Sequence, residues 1–111
     1  VVAYSDNAKM TLLGVEAPTL QRYGAVSART AEEMAAGACR ALGADVAIAT
    51  TGIAGPNGGS EEKPVGLVWF AIAGAEGATS WSLNLFGDRH GVRTRATLAA
   101  LDGLRRHLRG R

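Results

Sequence analysis

Three groups of residues in this sequence could do chemistry. Tyr4 and Lys9 bracket what reads as a strand-to-helix turn. A lysine held neutral at such a turn can act as general base to a hydroxyl nucleophile, although most first-turn lysines are simply solvated. The second group is Thr50–Pro64, with glycines at 52, 55, 58 and 59 between the apolar runs Val46–Ala49 and Val65–Ala73. Glycine admits backbone angles closed to other residues and lets a ligand approach the main chain. Such a loop at the end of a strand could present N–H groups to an anion or a carbonyl oxygen, or could be a plain connection. The third group is Arg89 and Arg93, at i and i+4. A helical wheel puts them on the same face as Ala96, Ala100, Leu101, Leu104 and Leu108. An inward arginine pair is costly without an anionic partner. Either a carboxylate (Glu61, Glu62 or Asp88) or a ligand phosphate could meet that need.

No other constellation competes. The two histidines, His90 and His107, lie far apart and the one cysteine is Cys39, so no metal-ligand spacing exists. Gly52 and Gly55 lack the lysine and spacing of a Walker A loop or a dinucleotide fingerprint. Cys39 lies beside an apolar helix face and reads as a small packed thiol.

The elements that must position these groups follow from pattern. Val1–Ser5 reads as a short strand, with Asp6 and Asn7 capping a helix over Ala8–Leu13 that Gly14 stops. Pro18 opens a second short helix to Tyr23, closed by Gly24. Thr30 to Glu33 spell a capping box, with Ser27 an alternative cap. Ala31, Met34, Ala35, Ala38 and Leu42 then recur at helical spacing up to Gly43. Asp45–Thr50 and Val65–Ala73 are continuous apolar strands, buried on both faces. Thr79–Phe86 alternates as a half-buried strand and is joined to its predecessor by a hairpin at Gly74–Ala78. A last helix spans about Asp88 to Leu108. The alternation predicts an α/β domain, a three-layer α/β/α sandwich with a mixed sheet.

Composition limits what this architecture can serve. The 111 residues suffice for one core, and 47% apolar with 20% charged residues is a folded, soluble balance. No apolar run reaches membrane-spanning length. A lone cysteine excludes an internal disulfide and fits a reducing compartment, so a cytoplasmic location is expected. Net charge is +2, and seven of the twelve basic residues fall between Arg89 and Arg111. Without interleaved aromatics to stack bases, that cluster does not argue for nucleic acid. The sequence opens Val-Val-Ala-Tyr, already inside the expected strand, which leads us to expect further domain sequence upstream.

Taken in order, Tyr4-Ser-Asp-Asn-Ala-Lys9, Leu13-Gly-Val15, Gly24-Ala-Val-Ser27, Thr51-Gly-Ile-Ala-Gly-Pro56, Gly58-Gly-Ser-Glu-Glu-Lys-Pro-Val-Gly66 and Gly87-Asp-Arg89 resemble the CinA C-terminal domain family. The resemblance runs through the whole chain. It implies a metal-free, cofactor-free nicotinamide-nucleotide amidohydrolase that hydrolyses the carboxamide of nicotinamide mononucleotide to the acid and ammonia. It also implies that Lys9 is the base, with Tyr4 beside it. The family's nucleophilic serine, in a Glu-Ser-Cys-Thr-Gly-Gly stretch, has no counterpart here, since Ser5, Ser27, Ser60, Ser80 and Ser82 match other positions. On this resemblance the Thr51, Gly52, Ile53, Ala54 and Gly55 loop would hold the oxyanion, and Arg89 and Arg93 the phosphate; the reverse assignment stays open. Ser60 and Lys63 are expected to order the loop. The expected partner is a small mononucleotide, with a homo-oligomer also open. The alternative is a non-catalytic nucleotide-binding or interaction domain.

Overall fold

A computed structural model describes residues 1–110. In chain order it contains helices α1 (Asp6–Leu13), α2 (Ala17–Tyr23) and α3 (Ala28–Leu42), strands β1 (Ala47–Gly52), β2 (Leu67–Gly74) and β3 (Gly77–Asn84), and helix α4 (Arg89–Arg109). The three strands form one sheet in the order β1-β2-β3. Successive β2 side chains face opposite ways. Ala71 and Ala73 pack with Ala31 and Ala35 of α3, while Val68 and Phe70 pack with Val92 and Ala100 of α4. Helices therefore cover both faces, and the expected α/β layering is present.

The sheet is antiparallel at both pairings, not mixed. β1 and β2 are joined by the glycine loop with no helix between them, and parallel neighbours need a crossover. Val1–Ser5 forms no strand, and among the described residues none pairs with the outer edge of β1. For the same reason β1 is only partly buried, whereas central β2 is buried on both faces. The β2–β3 hairpin closes as expected, with Gly74 opposite Gly77.

Local chemistry explains where each helix begins. Ser5, not Asp6 or Asn7, caps α1 by accepting from the Ala8 N–H at 3.0 Å. Ser27 caps α3 through the Thr30 N–H at 3.2 Å. Glu33 is thereby released from the expected capping box. It crosses to α2 instead, accepting from the Glu16 N–H at 2.9 Å and the Thr19 hydroxyl at 2.6 Å. Asp88 caps α4 by accepting from the Gly91 N–H at 2.8 Å.

The stripe that α4 buries is Val92, Ala96, Ala99, Ala100 and Gly103. Leu101 and Leu108, expected inside, are exposed. The small stripe lets α4 lie close to Trp81, whose ring stacks on Phe70 at 5.2 Å between centroids. A Cβ at Gly103 would stand 2.7 Å from the Trp81 ring. Gly103→Ala should therefore lower stability by about 1–2 kcal/mol despite its better helix propensity, read as a lower Tm on thermal unfolding. Arg95 is half-buried, with its guanidinium 4.0 Å from the Phe86 ring centroid. On the outer face, the Arg105 hydrogen bond above all holds the Asp102 carboxyl below its ordinary range.

Candidate functional site

A cleft of about 520 Å³ opens along the free edge of β1. Three elements supply its polar groups: the start of α1, the last residues of β1 with the turn beyond, and the first turns of α4. Tyr4, Lys9, Thr51, Gly52, Arg89 and Arg93 all line it, and Ala54 does too. Side chains 80 residues apart in sequence thus share one cavity. Ile53 and Gly55 do not line it.

Lys9 is 5% exposed. Its Nζ donates to the backbone oxygens of Ala3 at 2.8 Å and Tyr4 at 3.4 Å. Among the described residues the ion pairs are those of Asp102 with Arg105 and Arg106, so no carboxylate answers Lys9. A buried amine without a counter-charge is costly to fold around. Two of the three tetrahedral positions of Nζ are engaged by these carbonyls, which leaves the third for another partner. Tyr4 is 76% exposed, and it is the Tyr4 carbonyl, not the phenol, that meets Lys9.

The glycine loop is tied more tightly than its composition suggests. Ile53 donates its N–H to Leu67 O at 2.9 Å and accepts at its carbonyl from Gly66 at 2.7 Å. Its main chain is therefore engaged on the β2 side. Along an antiparallel ladder, residues alternate in the side to which their N–H and C=O point. Gly52, the last residue of β1, accordingly turns its N–H from β2 toward the outer edge of the sheet. Gly55, at φ 86°, accepts from Arg89 Nη1 at 3.2 Å. Farther along, Lys63 N–H donates to Ser60 Oγ at 3.0 Å, and Lys63 Nζ donates to the Tyr23 carbonyl. Both contacts order the loop.

Arg89 and Arg93 face the cleft but are solvent-exposed. The desolvation penalty expected for an inward pair is therefore small, and neither Glu61, Glu62 nor Asp88 forms an ion pair with either guanidinium. They form a cationic rim over an apolar wall of Val92, Ala96 and Ala100.

Sequence reasoning missed one link. Thr51 Oγ1 donates to the Ala25 carbonyl at 2.7 Å, fastening β1 to the α2–α3 turn. No sequence signal connects positions 25 and 51. No serine lines the cleft, and among the described residues no helix is long and apolar enough to cross a membrane.

Residues 1–108 match the CinA C-terminal domain family. The nicotinamide-nucleotide amidohydrolase PncC of Enterobacter agglomerans is 52% identical over 101 residues, covering 90% of this chain and 62% of that protein. A CinA-like protein of Mycolicibacterium vanbaalenii is 53% identical over 99% of this chain and 26% of its own length. Against several such curated relatives the chain spans about a quarter of their length. The solved competence damage-inducible protein A from Klebsiella pneumoniae superposes with a TM-score of 0.92 at 40% identity, over 97% of this chain and 67% of that one. A CinA-superfamily structure from Escherichia coli gives 0.88 at 42% identity, over 93% and 60%.

Proposed function

This chain belongs to the CinA C-terminal domain family, and from that premise we propose that its cleft serves hydrolysis of the carboxamide of nicotinamide mononucleotide. The observation that carries the reading is Lys9: buried, unpaired by any carboxylate among the described residues, and aimed into a cleft rimmed by two arginines. The amidohydrolase name of a relative 52% identical to the chain supports the same reaction.

In the proposed mechanism a serine from outside these residues attacks the carboxamide carbon and gives its proton to Lys9 Nζ. The carbonyl oxygen becomes an oxyanion held by the N–H groups of Gly52 and Ala54. Collapse breaks the C–N bond, and Lys9 returns its proton to the departing ammonia. Water then hydrolyses the acyl-serine to release nicotinate mononucleotide and regenerate the serine. Arg93, with Arg89 beside it, holds the phosphate. The work takes place in the cytoplasm and needs no metal or cofactor.

Replacing Arg93 with alanine in the intact native gene product should raise KM for the mononucleotide about tenfold to a hundredfold and leave kcat within a few-fold. An unchanged KM would remove the phosphate assignment. The experiment that tests the whole reading measures ammonia release from nicotinamide mononucleotide by that product, beside the 111-residue chain. Activity in the intact product alone supports the scheme. Activity in both would mean that another group attacks.

The second reading is a nucleotide-binding or interaction module without turnover, which the same cleft with its arginine rim would serve. Binding without ammonia release from the intact product would select it.

A further inference from the structure

Thr51 makes one hydrogen bond with an unambiguous direction. Its Oγ1 lies 2.7 Å from the carbonyl oxygen of Ala25. A carbonyl can only accept, so the one hydroxyl proton of Thr51 is committed to Ala25. Turning that proton into the cleft would leave Ala25 O without its partner in a part-buried place. Thr51 is itself buried, and it lines the same cleft as Lys9, Gly52 and Ala54. What its oxygen has left to offer a ligand is lone pairs alone.

We propose that Thr51 is the residue that distinguishes a carboxamide from a carboxylate in this cleft. The inference rests on the amidohydrolase reading above and adds the source of its discrimination. A carboxamide presents N–H donors, which a proton-committed hydroxyl oxygen accepts. A carboxylate presents only oxygens, and their lone pairs face those of Thr51 with no proton between them. Sites built to pair a specific donor reject analogues that lack it. The same contact that orients the amide nitrogen as leaving group would weaken the hold on the acid once ammonia has gone. Thr51 thereby serves both selection of substrate and release of product.

The test uses the intact native gene product. It compares KM for nicotinamide mononucleotide with the inhibition constant of nicotinate mononucleotide. The native protein should hold the acid at least about tenfold more weakly than the amide. Thr51→Val keeps the shape and removes the oxygen, and should collapse that ratio toward one, mainly by weakening the amide. Thr51→Ser keeps both the oxygen and its bond to Ala25, and should preserve the ratio. Should Thr51→Val not fold, Thr51→Cys, whose sulfur is a weak acceptor, should lower the ratio in its place. A ratio unchanged in Thr51→Val or Thr51→Cys would overturn the proposal. So would equal weakening of amide and acid, which marks a merely structural residue. If the native protein neither hydrolyses the amide nor binds either mononucleotide, the amidohydrolase reading fails as well, and the two failures are told apart.

Discussion

Lys9→Met in the intact native gene product should reduce ammonia release from nicotinamide mononucleotide by about 10²–10⁴-fold, the span of a lost general base. Mononucleotide binding should change no more than a few-fold, because the arginines that rim the cleft lie on α4, away from α1. The size of the effect follows from isolation. Among the described residues Lys9 is the lysine that lines the cleft, it is almost wholly buried, and no histidine or carboxylate lines the cavity beside it. Methionine suits the replacement because it fills the channel of the lysine stem without adding a charge. Its cost to folding is the two carbonyls, Ala3 O and Tyr4 O, that lose a donor. A thermal melt run beside the assay separates that cost from the loss of catalysis. Ammonia release persisting near the native rate would sink the mechanism.

Gly37→Ala should be the most damaging single change to the fold. A Cβ at Gly37 would sit 1.6 Å from the carbonyl oxygen of Leu13, a backbone atom in the last turn of α1. Neither partner has a flexible end to move aside, so one helix must shift bodily from the other. We expect a loss of about 3 kcal/mol or more in denaturant unfolding. Leu13 also anchors the small core of Val15 and Met34. Because α1 carries Lys9, a shifted α1 should lower activity even in the molecules that remain folded. A stability within 1 kcal/mol of native would mean that the α1–α3 contact is looser than its geometry shows.

Signals carried by neighbouring residues were the legible part of this fold. Gly14 and Gly43 end their helices in the left-handed region, Asp88 caps α4, and Gly74 and Gly77 close a hairpin. Misreadings arose where a distant partner decided. Thr30 to Glu33 spell a capping box, yet Glu33 has two better donors on α2. The phase of α4 follows close approach to Trp81, which favours Ala96, Ala100 and Gly103 over the leucines. Likewise a mixed sheet required Val1–Ser5 to find a strand beside it, and none of the described residues offers one. At the cleft, residue types pointed to Lys9, the glycine loop and the arginines as groups of interest. Which backbone donors remain free could not be read, since it depends on the pairing of Ile53 with Leu67.

Three successive carbonyls in the α2–α3 turn are each held by side chains. Lys63 reaches Tyr23 O, Ser27 and Thr30 reach Gly24 O, and Thr51 reaches Ala25 O. Four side chains from the glycine loop, α3 and β1 thus converge on one turn. Such cross-bracing merges the turn, the sheet edge and the loop into a single cooperative foldon, whose local opening would require several hydrogen bonds to break together. The opposite wall of the cleft is held by packing more than by hydrogen bonds. The first turn of α4 meets the loop through one guanidinium contact, Arg89 to Gly55. The two walls of the cleft are thus held by different means, hydrogen bonds bracing the turn, loop and sheet edge, and apolar packing of Val92 and Ala100 on Val68 and Phe70 seating α4.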